Sequence, residues 1–448
     1  MGIIVIIIGL LLPAALLLKK KHELLAYWIA FICVIDLFNS QQFLNISAFK
    51  LTGLVVTPYL ISQFKVIFKN KLIRLLLVYF SYLLILGVIF GLIFPWVDPT
   101  GIRAVKDLAP SRAILHLGSL FLEFMAIIYL GVQFSKKKSL IDSFFLVFLL
   151  GVLITCIGAF IESYFLVDIY HFFTKGNQMI MNSLRPRGFS YEPRGLGQST
   201  AVGLTLLMFY YDRIPKKVLF ISLPFCIYFG FIMSMSAAGI VTLLIGLTLT
   251  IFFSLLKKRL AFFKSSIFKI TLILTLLLPL SYFVLGQQTK DNFKSHLGKR
   301  SYILFGTSFL EKIEDQEAAA LNFLVKNPLH FLIGTGPGLI YLPSVEYRID
   351  KYLSQDHQPE KNAFNTLPHM GWLLQLSNGG ALSLGLLIFI FFAFYQNLRR
   401  ENSDSSNRHL QLFLLLSCLY LFQIRLIYYA ALSIGLAYSL KDKDSVKK

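Results

Sequence analysis

Apolar residues in this chain come in long runs, and charged residues gather in the short gaps between them. A helix needs about 20 apolar residues to cross ~30 Å of hydrocarbon, and runs of that order recur from end to end. They predict spans over approximately 2–18, 24–40, 44–64, 72–95, 113–134, 140–166, 196–211, 218–234, 237–256, 267–286, 370–395 and 410–440. The expected fold class is all-α, a polytopic membrane protein of about 12 transmembrane helices. The last run is long and is interrupted by Arg425, so it reads as one tilted helix or as a tight hairpin. The first run is followed directly by a second with no small-residue cleavage site between them, which reads as a retained helix rather than a signal peptide.

Charge orients the spans. Basic clusters stand at Lys19–Lys21, Lys65 to Arg74, Lys136–Lys138, Arg213 to Lys217, Lys257–Arg259 and Arg399–Arg400. Placing all of them on the cytoplasmic side gives a consistent alternation. Three polar segments, 96–112, 167–195 and 287–369, then face outward. Twelve spans leave both termini outside, whereas the basic tail KDKDSVKK prefers the inside and favours the hairpin. The chain reads as a single transmembrane domain, 1–448, with 167–195 and 287–369 as external loops. Within the longer loop, SFLEKIEDQEAAALNFLVKNP has apolar residues near helical spacing and ends at Pro328, which predicts an amphipathic helix on the outer face.

Composition changes this picture little. Apolar residues make up 56% of the 448, more than a soluble surface tolerates. The net charge of +20 would suggest nucleic acid in a soluble protein, but here the basic residues mark cytoplasmic loops, and no nucleic-acid partner is expected. Cys33, Cys156, Cys226 and Cys418 all lie in apolar runs, so neither a disulfide framework nor a cysteine metal site is expected.

Candidate chemistry falls in the external segments. SLRPRGFSYEPRGLGQS places Arg185, Arg187 and Arg194 within ten residues, beside Glu192. Short external loops ordinarily avoid arginine, and the guanidinium fork suits phosphate. An anionic ligand at the outer face is one reading; a loop resting on lipid headgroups or paired with acids in the long loop, 287–369, is the other. Glu192 reads as an arginine partner or as a base. FLIGTGPG, from Phe331, carries Gly334, Gly336 and Gly338. It lacks the Lys-Ser/Thr ending of a Walker loop and reads as a tight turn where backbone approaches backbone or ligand. His369 stands just before an apolar run. A lone histidine there is often a plain interfacial residue, yet a neutral imidazole is also the usual general base near pH 7. His296, His330 and His357 lie in the same loop without metal-ligand spacing.

Taken in order, these stretches resemble the bacterial O-antigen polymerase and O-antigen ligase superfamily. NPLHFLIGTGPG resembles that family's proline-then-glycine turn in the long outer loop. HMGWLLQLSNGG is similar to its His-Asn motif, with His369, Trp372, Leu373 and Gly380 at matching positions. RPRGFSYEPRG is similar to a segment before a central span of the polymerases. Two departures stand out: the motif's Asn is Met370 here, and the helix before the glycine turn offers Lys312, with Arg300 the nearest arginine.

The resemblance implies a membrane-embedded, GT-C-like inverting glycosyltransferase of the bacterial inner membrane, its site facing the periplasm. The donor would be a glycan on undecaprenyl pyrophosphate. The acceptor would be a second lipid-linked repeat unit for a polymerase, or a lipid A core for a ligase, and the Glu-Pro-Arg stretch leans towards the polymerase. His369 would be the general base. Arg185, Arg187, Arg194 and Arg300 would bind pyrophosphate, with Glu192, Gly336 and Gly338 in support. No metal or cofactor is implied. Membrane lipids and a chain-length regulator are the further partners expected. A secondary transporter is the rival from another class, and a scaffold a third; a transporter favours internal repeats and mid-bilayer charge, whereas no repeat is found here and Asp36, Glu123, Glu162 and Arg425 are few and mostly near predicted span ends, Glu123 and Arg425 less clearly than the others.

Overall fold

The computed structural model describes residues 6–35, 47–97, 108–165, 167–175, 186–190, 193–210, 230–234, 236–256, 315–344, 347, 367–368, 370–401, 404–422 and 425–440. The described residues are helical, with no β-strand among them. In chain order the main helices are α1 (Ile7–Leu18), α2 (His22–Val34), α3 (Ala48–Ser62), α4 (Lys71–Ile93), α5 (Ala109–Lys136), α6 (Ser139–Phe165), α7 (Ile169–Lys175), α8 (Pro193–Tyr210), α9 (Ala237–Leu256), α10 (Asp315–Lys326), α11 (Pro328–Ile333), α12 (Gly371–Arg400), α13 (Asp404–Phe422) and α14 (Arg425–Ser439).

Four of these, α4, α5, α6 and α12, are long and apolar enough to cross a membrane, and α1 to α3 are shorter apolar helices. The predicted runs 72–95, 113–134, 140–166 and 370–395 coincide with the four long ones to within a few residues. The run 410–440 is two helices, α13 and α14. The predicted span 267–286 and residues 218–229 of the predicted span 218–234 lie outside the described residues. From Asp315 on, the stretch predicted as an amphipathic helix is α10, ended by Asn327 and Pro328, a residue with no N–H to continue it; its residues 308–314 lie outside the described residues.

The chain divides into two compact units. Unit 1 comprises Met1–Val56, Lys136–Ser301 and Asn407–Leu415; unit 2 comprises Thr57–Ser135, Tyr302–Ser406 and Leu416–Lys448. In unit 1, α1 opens with a π-helical turn, Ile7–Leu11, which leaves carbonyls unmatched. Trp28 Nε1 donates to Ile8 O at 3.0 Å and Thr52 Oγ1 to Gly9 O at 3.3 Å, so two neighbouring segments satisfy that turn. α8 and α9 meet at Gly197 and Gly239, where an added Cβ on Gly239 would lie 2.7 Å from the Gly197 carbonyl oxygen. Small residues at such a crossing let two backbones touch, as in membrane helix pairs. The first turn of α6 carries the buried Asp142, 3.2 Å from His409 Nε2 and 3.5 Å from Arg408.

In unit 2, Asn70 caps α4 by accepting from the N–H groups of Leu72 and Ile73, and its amide donates to Ser439 O at 2.6 Å. One side chain thereby starts α4 and anchors the end of α14. Further along, Gly131 of α5 meets Leu436 of α14 with no room for a side chain.

Candidate functional site

In unit 1 the arginine-bearing segment is held to α6 by a buried carboxylate. Glu162, fully buried, accepts from Ile169 N at 2.9 Å, Arg187 N at 2.7 Å and Gly188 N at 2.6 Å. Three backbone donors on one carboxylate satisfy both of its oxygens, the condition for carrying such a group at depth. Gly188 sits at φ +57°, and a Cβ there would stand 2.3 Å from Thr155 O, so the turn after Arg187 requires glycine on both counts. Ser190 N donates to Arg187 O and closes the turn.

The Arg187 guanidinium is engaged within this unit. Nη2 lies 2.5 Å from Asp168 Oδ2, and the guanidinium stacks 4.8 Å from the Tyr170 ring centroid. Arg187 and Asp168 side chains are only 17% and 9% exposed. Arg194 is half-buried at the second position of α8.

In unit 2 the site is built around an interruption in α12. Gly379 and Gly380 leave helical geometry, and Gly380 reaches φ +67°, ψ −169°, a region open to glycine alone. An eight-residue piece, 371–378, is thereby separated from a 20-residue piece, 381–400, about 30 Å long. Breaking a helix frees carbonyls that an apolar bilayer cannot satisfy, so protein must take them up. The glycine turn does so. Thr335 N and Oγ1 donate to Ser377 O at 2.8 and 2.9 Å, and Gly336 N donates to Asn378 O at 3.1 Å. Gly338 N donates to the Asn378 side-chain oxygen at 3.0 Å. Tyr82 OH donates to Gly379 O and Ile333 O, both at 3.1 Å.

Sterics lock the same pairing. A Cβ on Gly334 would lie 2.5 Å from Gly379 N, and one on Gly380 would lie 2.1 Å from Leu332 O. Gly336 packs on the Leu86 carbonyl and Gly338 on the His116 ring. These two glycines are therefore close-approach positions, backbone against protein. His330 faces Phe90, Trp96 and Phe323 at ring distances of 5.0 to 5.6 Å. Its Nδ1 is 3.0 Å from Gly334 O; the carbonyl can only accept, so Nδ1 carries the proton. Trp96 Nε1 donates to Thr335 O at 3.0 Å, completing the cradle of the turn.

The short piece 371–378 is pinned at its other end. Gln375 bridges the hydroxyls of Tyr79 and Tyr420, accepting from the first and donating to the second at 2.6 Å. Gly371 lies flush on the Tyr420 carbonyl, where a Cβ would come within 2.0 Å. Met370 occupies the N-cap position with extended backbone and no side-chain bond to the helix. An Asn at that position would accept from the first free N–H groups; a thioether does not.

His369, Arg185, Glu192 and Arg300 lie outside the described residues, as does Lys312. Of the candidates described, Arg187 and Arg194 belong to unit 1, and Gly336 and Gly338 to unit 2 together with the helix that begins two residues after His369. Sequence reading passed over Glu162, Asp168, Thr335, Gln375 and Asn378. Glu162 alone left a trace, as a lone carboxylate near the end of an apolar run. Among the described residues no three His, Cys, Asp or Glu side chains gather as metal ligands do. No family model matches the chain, and no curated protein matches it.

Proposed function

We propose that the protein is a polymerase of lipid-linked oligosaccharide repeat units, acting at the outer face of a bacterial cytoplasmic membrane. What supports this reading above all is the union of two stretches that each resemble a motif of the O-antigen polymerase and ligase superfamily. The turn NPLHFLIGTGPG is bonded, backbone to backbone, into the interruption of HMGWLLQLSNGG. Two motif-like stretches some forty residues apart thus form one rigid element, and His369 precedes it by two residues. A rigid mount is what a catalytic base needs, because a small misplacement is costly in rate.

In this reading His369 takes the proton of an acceptor sugar hydroxyl. The hydroxyl oxygen attacks the anomeric carbon of the donor from the side opposite the pyrophosphate. A new glycosidic bond forms, the bond to pyrophosphate breaks, and the anomeric configuration inverts. Undecaprenyl pyrophosphate leaves with the electron pair. Arg185, Arg187, Arg194 and Arg300 balance its charge, and charge stabilisation of this kind is commonly the largest part of catalysis. The ion pair of Arg187 with Asp168 gives that arginine a fixed direction. The isoprenoid tail stays in hydrocarbon while the pyrophosphate meets arginine at the boundary.

The test is reconstitution of the full chain in lipid with purified lipid-linked repeat units. A ladder of products on a gel is the expected result. Single-step transfer to a lipid A core without a ladder replaces the polymerase by a ligase, and no transfer to either acceptor overturns the reading. Cysteines placed at Lys175 and Lys351 report the topology independently: both react with an impermeant thiol reagent from the outer side, and labelling only after inner-membrane lysis contradicts it.

A further inference from the structure

α5 carries Arg112, His116, Ser119 and Glu123 at steps of four, three and four residues. At 100° per residue these four fall within about 60° of one another, so they form a stripe along one side of the helix. Each is half-buried. Two exposed apolar residues of the same stretch, Ile114 and Phe121, lie on the opposite side, 60% and 39% exposed, whereas Leu115, 37% exposed, borders the stripe. The stripe therefore faces protein rather than lipid.

The neighbours described for it belong to unit 2. The Arg112 guanidinium stacks over the Tyr341 ring at 5.5 Å. The His116 ring packs against Gly338 of the glycine turn. At the deep end, Glu123 Oε2 accepts from the hydroxyl of Tyr429 on α14, a helix that itself opens at Arg425, one turn before Tyr429. From α4, Phe80 packs against Phe121 and Phe124 and brings no charge.

Depth gives the stripe its meaning. Glu123 lies 14 residues from Ala109 and 13 from Lys136, the midpoint of a 28-residue helix about 42 Å long. For a helix that crosses the bilayer from end to end that is the level of its centre, where an ionisable side chain is costly and marks a functional path more often than a structural one. A hydrogen bond between two helices needs only an amide or a hydroxyl. A carboxylate reached by polar rungs about 6, 4.5 and 6 Å apart along the helix suits a further role, because a gap of that length is one that one or two waters can span.

We propose that Glu123 is a proton-binding site in the membrane interior of unit 2, exchanging its proton with the Ala109 end of α5 along His116 and Ser119. A proton enters at the Ala109 end, passes through the His116 imidazole and the Ser119 hydroxyl by way of water, and neutralises the Glu123 carboxylate; release reverses the order. Tyr429 holds the carboxylate in place. The site is independent of the polymerase reading, and under the topology proposed above it exchanges with the outer side.

The full-length protein in lipid nanodiscs is treated with dicyclohexylcarbodiimide, an apolar reagent that adds to protonated carboxyl groups, and the Glu123 peptide is quantified by mass spectrometry between pH 5 and pH 9. Modification of Glu123 is expected, with a yield that falls about tenfold per pH unit once the group is mostly ionised. No adduct at any pH, or an adduct indifferent to pH, overturns the proposal and leaves Glu123 a fixed hydrogen-bond partner of Tyr429. The route is read separately from the infrared carboxyl band, assigned with Glu123→Gln, as it shifts in deuterated water. His116→Leu with Ser119→Ala slows that shift if the stripe is the path. Exchange as fast as in the native chain overturns the path, and His116→Gln replaces the leucine variant if the latter does not fold.

Discussion

Thr335 donates twice to a single carbonyl: its N–H and its hydroxyl both reach Ser377 O, at 2.8 and 2.9 Å. That carbonyl is one of those released where α12 breaks, and the glycine turn supplies the donors that the helix has lost. The break and the turn are one element. Each exists in this form because the other is present.

Two glycines of α12 separate this element from ordinary helix. Gly380 has positive φ and would drive a Cβ into Leu332 O, whereas Gly385 has open space around it. Gly380→Ala should cost about 3 kcal/mol or more, from strain and clash together. Gly385→Ala should be neutral or stabilising by up to about 1 kcal/mol, as alanine is in any helix interior. Thermal unfolding of the two variants in the same detergent gives the comparison. Equal midpoints contradict the account of the break.

Met370 at the N-cap of α12 offers no acceptor to the first turn. Met370→Asn should stabilise this helix start by about 1 kcal/mol, the usual worth of a cap. The gain is read as a rise in unfolding midpoint. A fall shows that the methionine's packing against the apolar cluster of α10, Ile340 and α12 outweighs the missing cap.

Much of this protein is legible in its sequence for a simple reason. Length and apolarity alone define a spanning helix, and α4, α5, α6 and α12 carry both signals without competition. The interruption of α12 carries none. LSNGGALSLG holds no proline and keeps its apolar character, and two glycines in a membrane helix ordinarily mean close packing. The break needs partners far away in sequence to take up its carbonyls, and these are backbone N–H groups and two common hydroxyls, Thr335 and Tyr82, which leave no distinctive signature. The role of Glu162 was unreadable in the same way, since its partners are backbone N–H groups 7 to 26 residues distant. The stripe on α5, by contrast, stood in plain view at helical spacing; each of its members looked ordinary alone.

Glu162→Gln keeps the shape of this carboxylate but turns one oxygen into a donor facing backbone N–H groups. The three-donor set cannot be satisfied by an amide with one acceptor atom. A loss of about 2–3 kcal/mol is expected, seen as a lower unfolding midpoint and as faster proteolysis around residues 186–190. A midpoint unchanged from the native chain contradicts the role of Glu162 as the anchor of the arginine segment.

Arg187→Lys separates structure from chemistry. Lysine keeps a positive charge beside Asp168 but loses the fork and the flat stack on Tyr170. Stability should fall by about 1 kcal/mol or less. Polymerisation in the reconstituted assay should fall about tenfold or more, because a point charge grips phosphate less specifically than a guanidinium. Full activity in Arg185→Ala, Arg187→Ala and Arg194→Ala alike removes the arginine segment from the pyrophosphate site.

The most direct measurement concerns His369. The native chain, His369→Ala and His369→Gln are reconstituted with purified lipid-linked repeat units, and initial rates of ladder formation are compared at pH 7. The element that carries the residue, 371–378 with its bonds to Thr335, Gly336 and the two tyrosines, remains intact in both variants, so both should insert and unfold like the native chain. General-base catalysis contributes roughly 10²–10⁴-fold, and both variants should lose activity by about that factor, because an amide does not take up the proton. Ladders at the native rate from His369→Ala, or from His369→Gln alone, contradict the claim that this histidine is the base.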